Sequence, residues 1–443
     1  MQGRGGYKEV LQLAFPAVIS TLSYSVMCMT DTIMVGRIGA TEIAAIGLAN
    51  IIIFTILAFF IGALESIETF VSQDFGAGRM HLCARMGWYG VSLSVVSGLV
   101  ILIFIPLSPL LFEIFGSSKS VRVLGEGYFN IRILGGMFFL ISFALGRFFV
   151  GVQDTKINMW ISLVANAVNI VLDYGLIFGA LGFPNYGTEG AAIATVAASF
   201  VSVVLYFVFF LDRKYQDLFG TRVIAWPQYS EIARILKIGL PIGVEVFLRM
   251  GAFLLFSAVI GRAGDIELAA SQICLQIIRF SFMPGYGLSV ATCVLVGKYI
   301  GAVDLESAER ILRSSLVIGL VYACVLAVLF LAYTNEMIAV FTTDTVVIDT
   351  CHRIMFLAVL LQLFDIVSTV AAGALRGAGD TTWLMKVTVS VSWFVGLPLA
   401  VFFCLFVHLG AFGAWIGLTT EIAFLALVIF MRFKGGTWKA IKI

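Results

Sequence analysis

Residues 43–64 read IAAIGLANIIIFTILAFFIGAL and contain no charged side chain. A transmembrane helix needs about 20 mostly apolar residues, so this stretch is long enough to cross a bilayer. It does not alternate apolar and polar residues with a period of two, as the strands of a membrane β-barrel do. The stretch therefore predicts a membrane-spanning α-helix, and the same pattern recurs along the chain.

The composition of all 443 residues agrees with this interpretation. Apolar residues make up 60% and charged residues 12%, with a mean hydropathy of +1.04. Soluble domains average about 45–50% apolar and about 25% charged residues, so a soluble enzyme is excluded. The net charge of +2 argues against a nucleic-acid partner. The seven cysteines contain no C-x-x-C spacing, and we interpret them as small hydrophobic residues rather than disulfide partners or metal ligands.

Twelve stretches are long and apolar enough to span a membrane. They cover approximately residues 10–35, 43–74, 87–112, 124–150, 157–180, 188–211, 233–260, 266–300, 309–333, 350–375, 384–407 and 410–432. An even number of spans places both termini on one side. Twenty Lys and Arg residues, from Arg4 to Lys442, fall on the side of the termini and five on the other, so we expect both termini to be cytoplasmic.

The two halves of the chain resemble each other at a spacing of about 225 residues. LQLAFP ends at Pro16 and LKIGLP at Pro241, and Gly36-Arg37 corresponds to Gly261-Arg262. Each repeat holds six spans, so the halves enter the membrane in the same orientation and are expected to be related by an axis along the membrane normal. We therefore predict an all-α membrane protein with an N-lobe at 1–211, a cytoplasmic linker at 212–232 and a C-lobe at 233–443.

Ionisable residues inside predicted spans are costly and call for an explanation. Asp31 lies in the first span, and Asn166, Asn169 and Asp173 share one face of the fifth. Asp31 and Asp173 have no cationic neighbour in sequence, which favours a functional role. Burial favours the protonated form of a carboxyl group, and a second carboxylate nearby favours it further. Such a pair is suited to exchange a proton or to bind Na⁺ as its access to water changes.

Other ionisable residues inside spans leave more than one interpretation open. Glu245 and Arg249 are four residues apart and form either a structural pair or part of a cavity. Glu65 and Glu68 are as compatible with a structural role as with a functional one. The remaining members of this set are Arg132, Arg279, Asp365 and Glu421.

Several motifs together identify a family resemblance. DTIMVGR at 31–37, the repeated Gly-Arg pair, AASQICLQ at 269–276 and AAGALRGAGDT at 371–381 resemble the multidrug and toxic compound extrusion (MATE) family. The resemblance covers essentially the whole chain. It implies a cation-coupled antiporter that exports amphiphilic, often cationic compounds by alternating access.

The resemblance also implies site residues in both lobes. In the N-lobe, the cation or proton site of the family corresponds to Asp31, Asn169, Asp173 and Thr195. In the C-lobe, Asp365 corresponds to the acid of the tenth span, whereas Arg249 stands where sodium-coupled bacterial members have an acid. The C-lobe cavity is then expected to contain Glu245, Arg249, Gln272 and Asp365. We expect coupling to run through the N-lobe acids.

Three other functions are weighed against an antiporter. A lipid-linked precursor flippase of related architecture needs a strongly cationic cavity for a pyrophosphate group, but few arginines lie inside the spans. An intramembrane enzyme is disfavoured because no H-E-x-x-H, G-x-S-x-G or phosphate-binding loop occurs in a suitable setting. An open channel is disfavoured by two lobes with buried acids.

The remaining expectations follow from the antiporter interpretation. We expect no cofactor and no catalytic residue, with H⁺ or Na⁺ as the coupling ion and no metal site apart from a Na⁺ site in the N-lobe. Partners are small amphiphilic molecules and the lipid bilayer. The protein is expected to be a monomer in the bacterial inner membrane.

Overall fold

The computed structural model describes residues 5–114 and 118–441, and all regular secondary structure in these ranges is helical. Arg4 and Lys442 of the predicted cytoplasmic set lie outside the described residues. The first half contains α1 (Tyr7–Gly36), α2 (Ala40–Gly76), α3 (Met80–Ile101), α4 (Ser108–Ile114), α5 (Lys119–Leu134), α6 (Gly136–Gly151), α7 (Thr155–Phe178), α8 (Gly187–Phe210) and α9 (Arg213–Phe219). The second half contains α10 (Tyr229–Ala263), α11 (Asp265–Gly301), α12 (Leu305–Ala332), α13 (Thr334–Ala339), α14 (Thr345–Gly377), α15 (Thr381–Val391), α16 (Leu397–Val401) and α17 (Gly410–Lys434).

The predicted multi-span helical fold is confirmed. Ten helices in the described ranges are long and apolar enough to cross a membrane, and two bent helix pairs bring the number to twelve if each pair is one span. The predicted end of the third span at residue 112 is wrong. That helix, with its last 3₁₀ turn, ends at Phe104. Pro106 follows and has no N–H to donate to the carbonyl of Leu102, which favours a break before α4.

Both bends have local causes. The pair α5 and α6 bends by 47° at Gly135, and a side chain at this position would overlap Val196 of α8. Helix α11 bends by 45° between Arg279 and Ser281. Pro284 follows one turn later and has no N–H to donate to the carbonyl of residue 280, which weakens the helix there.

The chain divides into two compact units. The N-terminal unit is Ile19–Gly243, and the C-terminal unit consists of the chain from Val244 onward together with the segment that ends at Val18. Helix α1 therefore passes from one unit into the other at Val18, and α10 does so at Gly243. This division differs from the predicted lobes, which assign the start of α1 to the N-lobe and the start of α10 to the C-lobe.

Packing explains why the start of α1 belongs to the C-terminal unit and the start of α10 to the N-terminal unit. In the C-terminal unit, Val10 and Leu13 belong to a buried core that also contains Leu295 and Val370. In the N-terminal unit, α10 crosses α2 so closely at Gly62 that a side chain on this glycine would overlap the backbone of Gly243. Sequence position alone does not reveal these contacts, because they join segments far apart along the chain.

The predicted internal repeat is visible in the backbone. Gly78 after α2 and Val303 after α11 both adopt a left-handed conformation, with φ values of 73° and 59°. Gln153 after α6 and Gly379 after α14 do the same, with φ values of 69° and 83°. In all four turns, the next residue donates its N–H to a carbonyl five residues earlier, which closes the helix end in the same way.

The predicted linker contains the short helix α9, which is anchored to the N-terminal unit. The Tyr215 hydroxyl donates to Asp154 at 2.6 Å, and Lys214 Nζ lies 3.2 Å from the same carboxylate. Burial and the neighbouring carboxylate raise the pKa of Tyr215, so its hydroxyl remains a donor at neutral pH. Asp154 lies in the sequence GVQDT at 151–155, which corresponds to GAGDT at 377–381 in the second half. The counterpart of Asp154 there, Asp380, pairs with Arg432 at 2.9 Å.

Candidate functional site

The N-terminal unit brings the four predicted N-lobe residues together. Asp31 lies on α1, Asn169 and Asp173 on α7, and Thr195 on α8. All four are buried, and Asn169 and Asp173 are 0% exposed. The side chains of Asp31 and Asp173 interact with each other, with Thr195 next to Asp31 and Asn169 next to Asp173. The geometry agrees with the predicted cluster, while its role in ion binding stays a prediction.

Hydrogen bonds fix the helices that carry this cluster. Asn166 Nδ2 donates to the backbone oxygen of Ser23 at 2.8 Å and to its hydroxyl at 3.1 Å, which fastens α7 to α1. The Thr195 hydroxyl donates to the Ala191 carbonyl at 2.9 Å. The same hydroxyl also interacts with Asp31, so its single hydrogen is shared between the Ala191 carbonyl and this carboxylate.

The cluster contains more acceptors than donors. Within the described residues, neither carboxylate oxygen of Asp173 nor Oδ1 of Asp31 has a hydrogen-bond partner, and both polar atoms of the Asn169 side chain lack one as well. Buried polar groups without partners are rare and costly. Two adjacent carboxyl groups with more acceptor oxygens than donors around them are satisfied by a proton or a small cation.

Arg132 of α5 is a further member of this cluster that the sequence interpretation did not place. It interacts electrostatically with both Asp31 and Asp173. No ion pair of 4 Å or less joins it to an acid in the described part of the chain, and its guanidinium lies 6.0 Å from the centre of the Tyr128 ring. Arg132 and Tyr128 are four residues apart on one helix, a spacing that was available in the sequence.

The C-terminal unit contains a second group of charges. Glu245 of α10 is 2% exposed, and its Oε1 lies 3.3 Å from Arg376 and 3.8 Å from Arg249. The predicted Glu245–Arg249 pair is therefore present, but Arg376 is the closer partner. Arg376, one of the twenty basic residues expected on the cytoplasmic side, lies in the last turn of α14, which ends at Gly377.

Asp365 and Glu421 both face Arg249. Asp365 of α14 also interacts with Thr369 on its own helix. Glu421 of α17 accepts a hydrogen bond from the Ser392 hydroxyl. Ser392 begins a π-helical turn between α15 and α16, and π turns inside α-helices often occur at functional positions.

The remaining predicted residues have other positions. Gln272 of α11 is exposed, and no hydrogen bond or ion pair among the described residues joins it to Glu245 or Asp365. Glu68 has a structural partner, since its Oε2 lies 2.7 Å from Arg147 of α6. Arg147, another of the twenty basic residues expected on the cytoplasmic side, lies within α6, which extends to Gly151.

Solved structures show the same fold. A structure described as the outward-facing conformation of a multidrug resistance MATE family transporter of the MOP superfamily is similar with a TM-score of 0.91, covering 99% of this chain and 98% of its own. A MOP superfamily transporter from Pyrococcus furiosus is similar with a TM-score of 0.89 over the same shares. Both are 20% identical to this chain, so they establish the fold alone.

The family model MatE matches the chain twice, over residues 16–175 and 241–402. The chain belongs to the MatE family. The two MatE matches begin at Pro16 and Pro241, the residues that end the repeated hexapeptides, so the match agrees with the repeat deduced from the sequence.

Two curated relatives of this MatE chain have the same description. A probable multidrug resistance protein NorM from Rhizobium meliloti is 30% identical over 438 residues, covering 96% of this chain and 93% of its own length. A protein with the same description from Thermotoga maritima is 29% identical over 434 residues, with 98% and 93% covered. The predicted family resemblance is confirmed, and the flippase alternative is not supported.

Proposed function

We propose that this MatE protein is a secondary transporter that exports amphiphilic, often cationic small molecules in exchange for H⁺ or Na⁺ by alternating access. The curated relatives are named multidrug resistance proteins, which supports the export of foreign compounds. The proposal places the protein in the bacterial inner membrane with both termini in the cytoplasm, in agreement with the distribution of basic residues.

The observation that carries the proposal is the buried Asp31–Asp173 pair with its unpartnered oxygens. A structural acid in a membrane helix is expected to be paired, as Glu68 is with Arg147 and Glu245 is with Arg376. Asp31 and Asp173 face one another instead, and their oxygens without partners are suited to a mobile positive charge. Taking up and releasing that charge is the step by which an ion gradient can drive transport.

Both coupling ions suit the chemistry of this cluster. Carboxylate, amide and hydroxyl oxygens are hard ligands that bind hard cations such as Na⁺, and the same carboxyl pair accepts a proton. No step of the proposal depends on which ion is used.

The C-terminal unit supplies a place for cationic cargo. The carboxyl groups of Asp365, Glu421 and Glu245 outnumber the guanidinium groups of Arg249 and Arg376, so this group carries a net charge of −1 when all five side chains are ionised. A monovalent organic cation neutralises it. We therefore propose that Asp365 and its neighbours bind cargo, while Asp31 and Asp173 bind the coupling ion.

Efflux from proteoliposomes under separately imposed pH and Na⁺ gradients tests the proposal, with ethidium as the probe. We expect one gradient to drive ethidium flux by the wild type, and Asp31→Asn and Asp173→Asn to abolish the driven flux. Asp349→Asn is the matched control, because Asp349 is an exposed acid on α14 remote in sequence from Asp365. If neither gradient drives flux in the wild type, the antiporter proposal is wrong.

A second comparison locates the coupling site. Coupling through the N-terminal unit is contradicted if Asp31→Asn and Asp173→Asn transport normally while Asp365→Asn alone abolishes ion-driven flux. An ion current that continues without ethidium would instead support a channel.

A further inference from the structure

Arg132 is a charged neighbour of the proposed coupling site but makes no direct ion pair with its acids. Its Nε is buried and donates no hydrogen bond among the described residues, and no carboxylate oxygen there lies within 4 Å of its guanidinium. An arginine that served only as a structural partner would be expected to make a direct ion pair, as Arg147 does with Glu68 at 2.7 Å. Arg132 therefore acts on the site through its charge rather than by occupying it.

The surroundings of Arg132 keep its charge in place. It lies in the last turn of α5, where the helix dipole favours a cation. A guanidinium group stays protonated at any accessible pH. The titratable groups that face it are Tyr24, Cys28 and Asp31 of α1, Tyr128 of its own helix, and Asp173 of α7.

The charges at the site can be counted. Asp31 and Asp173 contribute two negative charges, and Arg132 contributes one positive charge, so the site has a net charge of −1 when all three are ionised. One monovalent cation neutralises it. Without Arg132, the same pair of carboxylates requires two monovalent cations for neutrality. Both carboxylate oxygens of Asp173 lack a hydrogen-bond partner among the described residues and are therefore available to the cation.

We infer that Arg132 is a positioning residue that limits the Asp31–Asp173 site to one monovalent cation per transport cycle. The inference rests on the proposed function, since it concerns the number of coupling ions at that site. It assigns to Arg132 a role in stoichiometry, separate from the roles of the acids that hold the ion.

The number of coupling ions per cycle can be measured in proteoliposomes. It sets the ethidium gradient that the transporter sustains when the net flux has fallen to zero. With the membrane potential clamped at zero by K⁺ and valinomycin, a tenfold gradient of one coupling ion sustains about a tenfold ethidium gradient, and a second ion raises it to about a hundredfold. We expect Arg132→Gln to reach a final ethidium gradient about ten times steeper than the wild type. The matched control Arg132→Lys retains the charge and is expected to reach the wild-type gradient.

If the wild type is driven by an ion gradient and Arg132→Gln reaches the same final gradient, the inference is overturned while the proposed function stands. If no gradient drives the wild type, the proposed function itself fails. Should Arg132→Gln be inactive, direct counting decides, with ²²Na⁺ bound or protons taken up per purified molecule. One additional cation relative to the wild type supports the inference, and an equal number refutes it.

Discussion

Replacing Arg147 by methionine removes the guanidinium group that faces Glu68 inside the N-terminal unit. The two side chains are 14% and 7% exposed, and Arg147 Nη1 lies 2.7 Å from Glu68 Oε2. The guanidinium carbon also lies 4.5 Å from the centre of the Phe143 ring. Methionine retains much of the apolar stem but has no guanidinium group, so the change removes the charge together with the contact on the Phe143 ring.

The expected loss follows from the geometry of this pair. At a separation of 2.7 Å, with an effective dielectric constant of about 20, the Coulomb attraction is about 6 kcal/mol. Part of this attraction offsets the cost of removing both groups from water, so the net effect of breaking a buried pair is about 3–5 kcal/mol. We therefore expect Arg147→Met to lower the free energy of unfolding by about 4 kcal/mol.

Unfolding by sodium dodecyl sulfate in mixed micelles, followed by circular dichroism, measures this change. The control is the double variant with Glu68→Gln and Arg147→Met, which contains no buried charge at this position. It is expected to recover most of the loss, because the penalty comes from a carboxylate that has lost its counter-charge. The reasoning is refuted if Arg147→Met alone is within about 1 kcal/mol of the wild type, or if the double variant is as unstable as the single one.

Two further predictions use the same unfolding measurement. Val303 adopts a left-handed backbone conformation where the other repeat has Gly78, so Val303→Gly is expected to stabilise the protein by about 1 kcal/mol and Gly78→Val to destabilise it by at least as much; equal stability of the two variants would contradict this. Gly62→Ala places a methyl group against the backbone of Gly243 and is expected to cost about 3 kcal/mol. Gly47→Ala on the same helix meets no atom within 4 Å and is expected to stay within about 1 kcal/mol of the wild type, so a similar loss in both variants would show that crowding is not the cause.

The helical spans could be predicted from the sequence because the signal is local. A run of about 20 apolar residues must satisfy its own backbone hydrogen bonds in a bilayer, and only a helix does so within one segment. The predicted ends agree with the observed ones to a few residues in most spans, for example 188–211 against Gly187–Phe210. The third span ends before the predicted residue 112 because Pro106 interrupts an otherwise apolar run. A hydropathy average over the run does not reveal a single proline.

The candidate site was predicted in part. Asn169 and Asp173 share a face because of helical periodicity, which depends on sequence alone. Their proximity to Asp31 and Thr195 was implied by the family resemblance rather than by spacing. The sequence shows that Arg132 is a charged residue inside a span. Its position beside Asp31 depends on how α5 packs against α1, and the periodicity of a single helix carries no information about that packing.

The order of residues along the chain is enough to predict a duplicated, multi-span membrane protein with acids inside its spans. Apolar run length, the spacing of about 225 residues and the family motifs are all properties of the linear chain. Helix packing, in contrast, sets which acids are paired and which have oxygens without a partner. Glu68 and Glu245 face arginines on other helices, whereas Asp31 and Asp173 face each other. The physical reason is that an ion pair requires atoms within about 4 Å, and helix rotation and packing between distant segments set that distance.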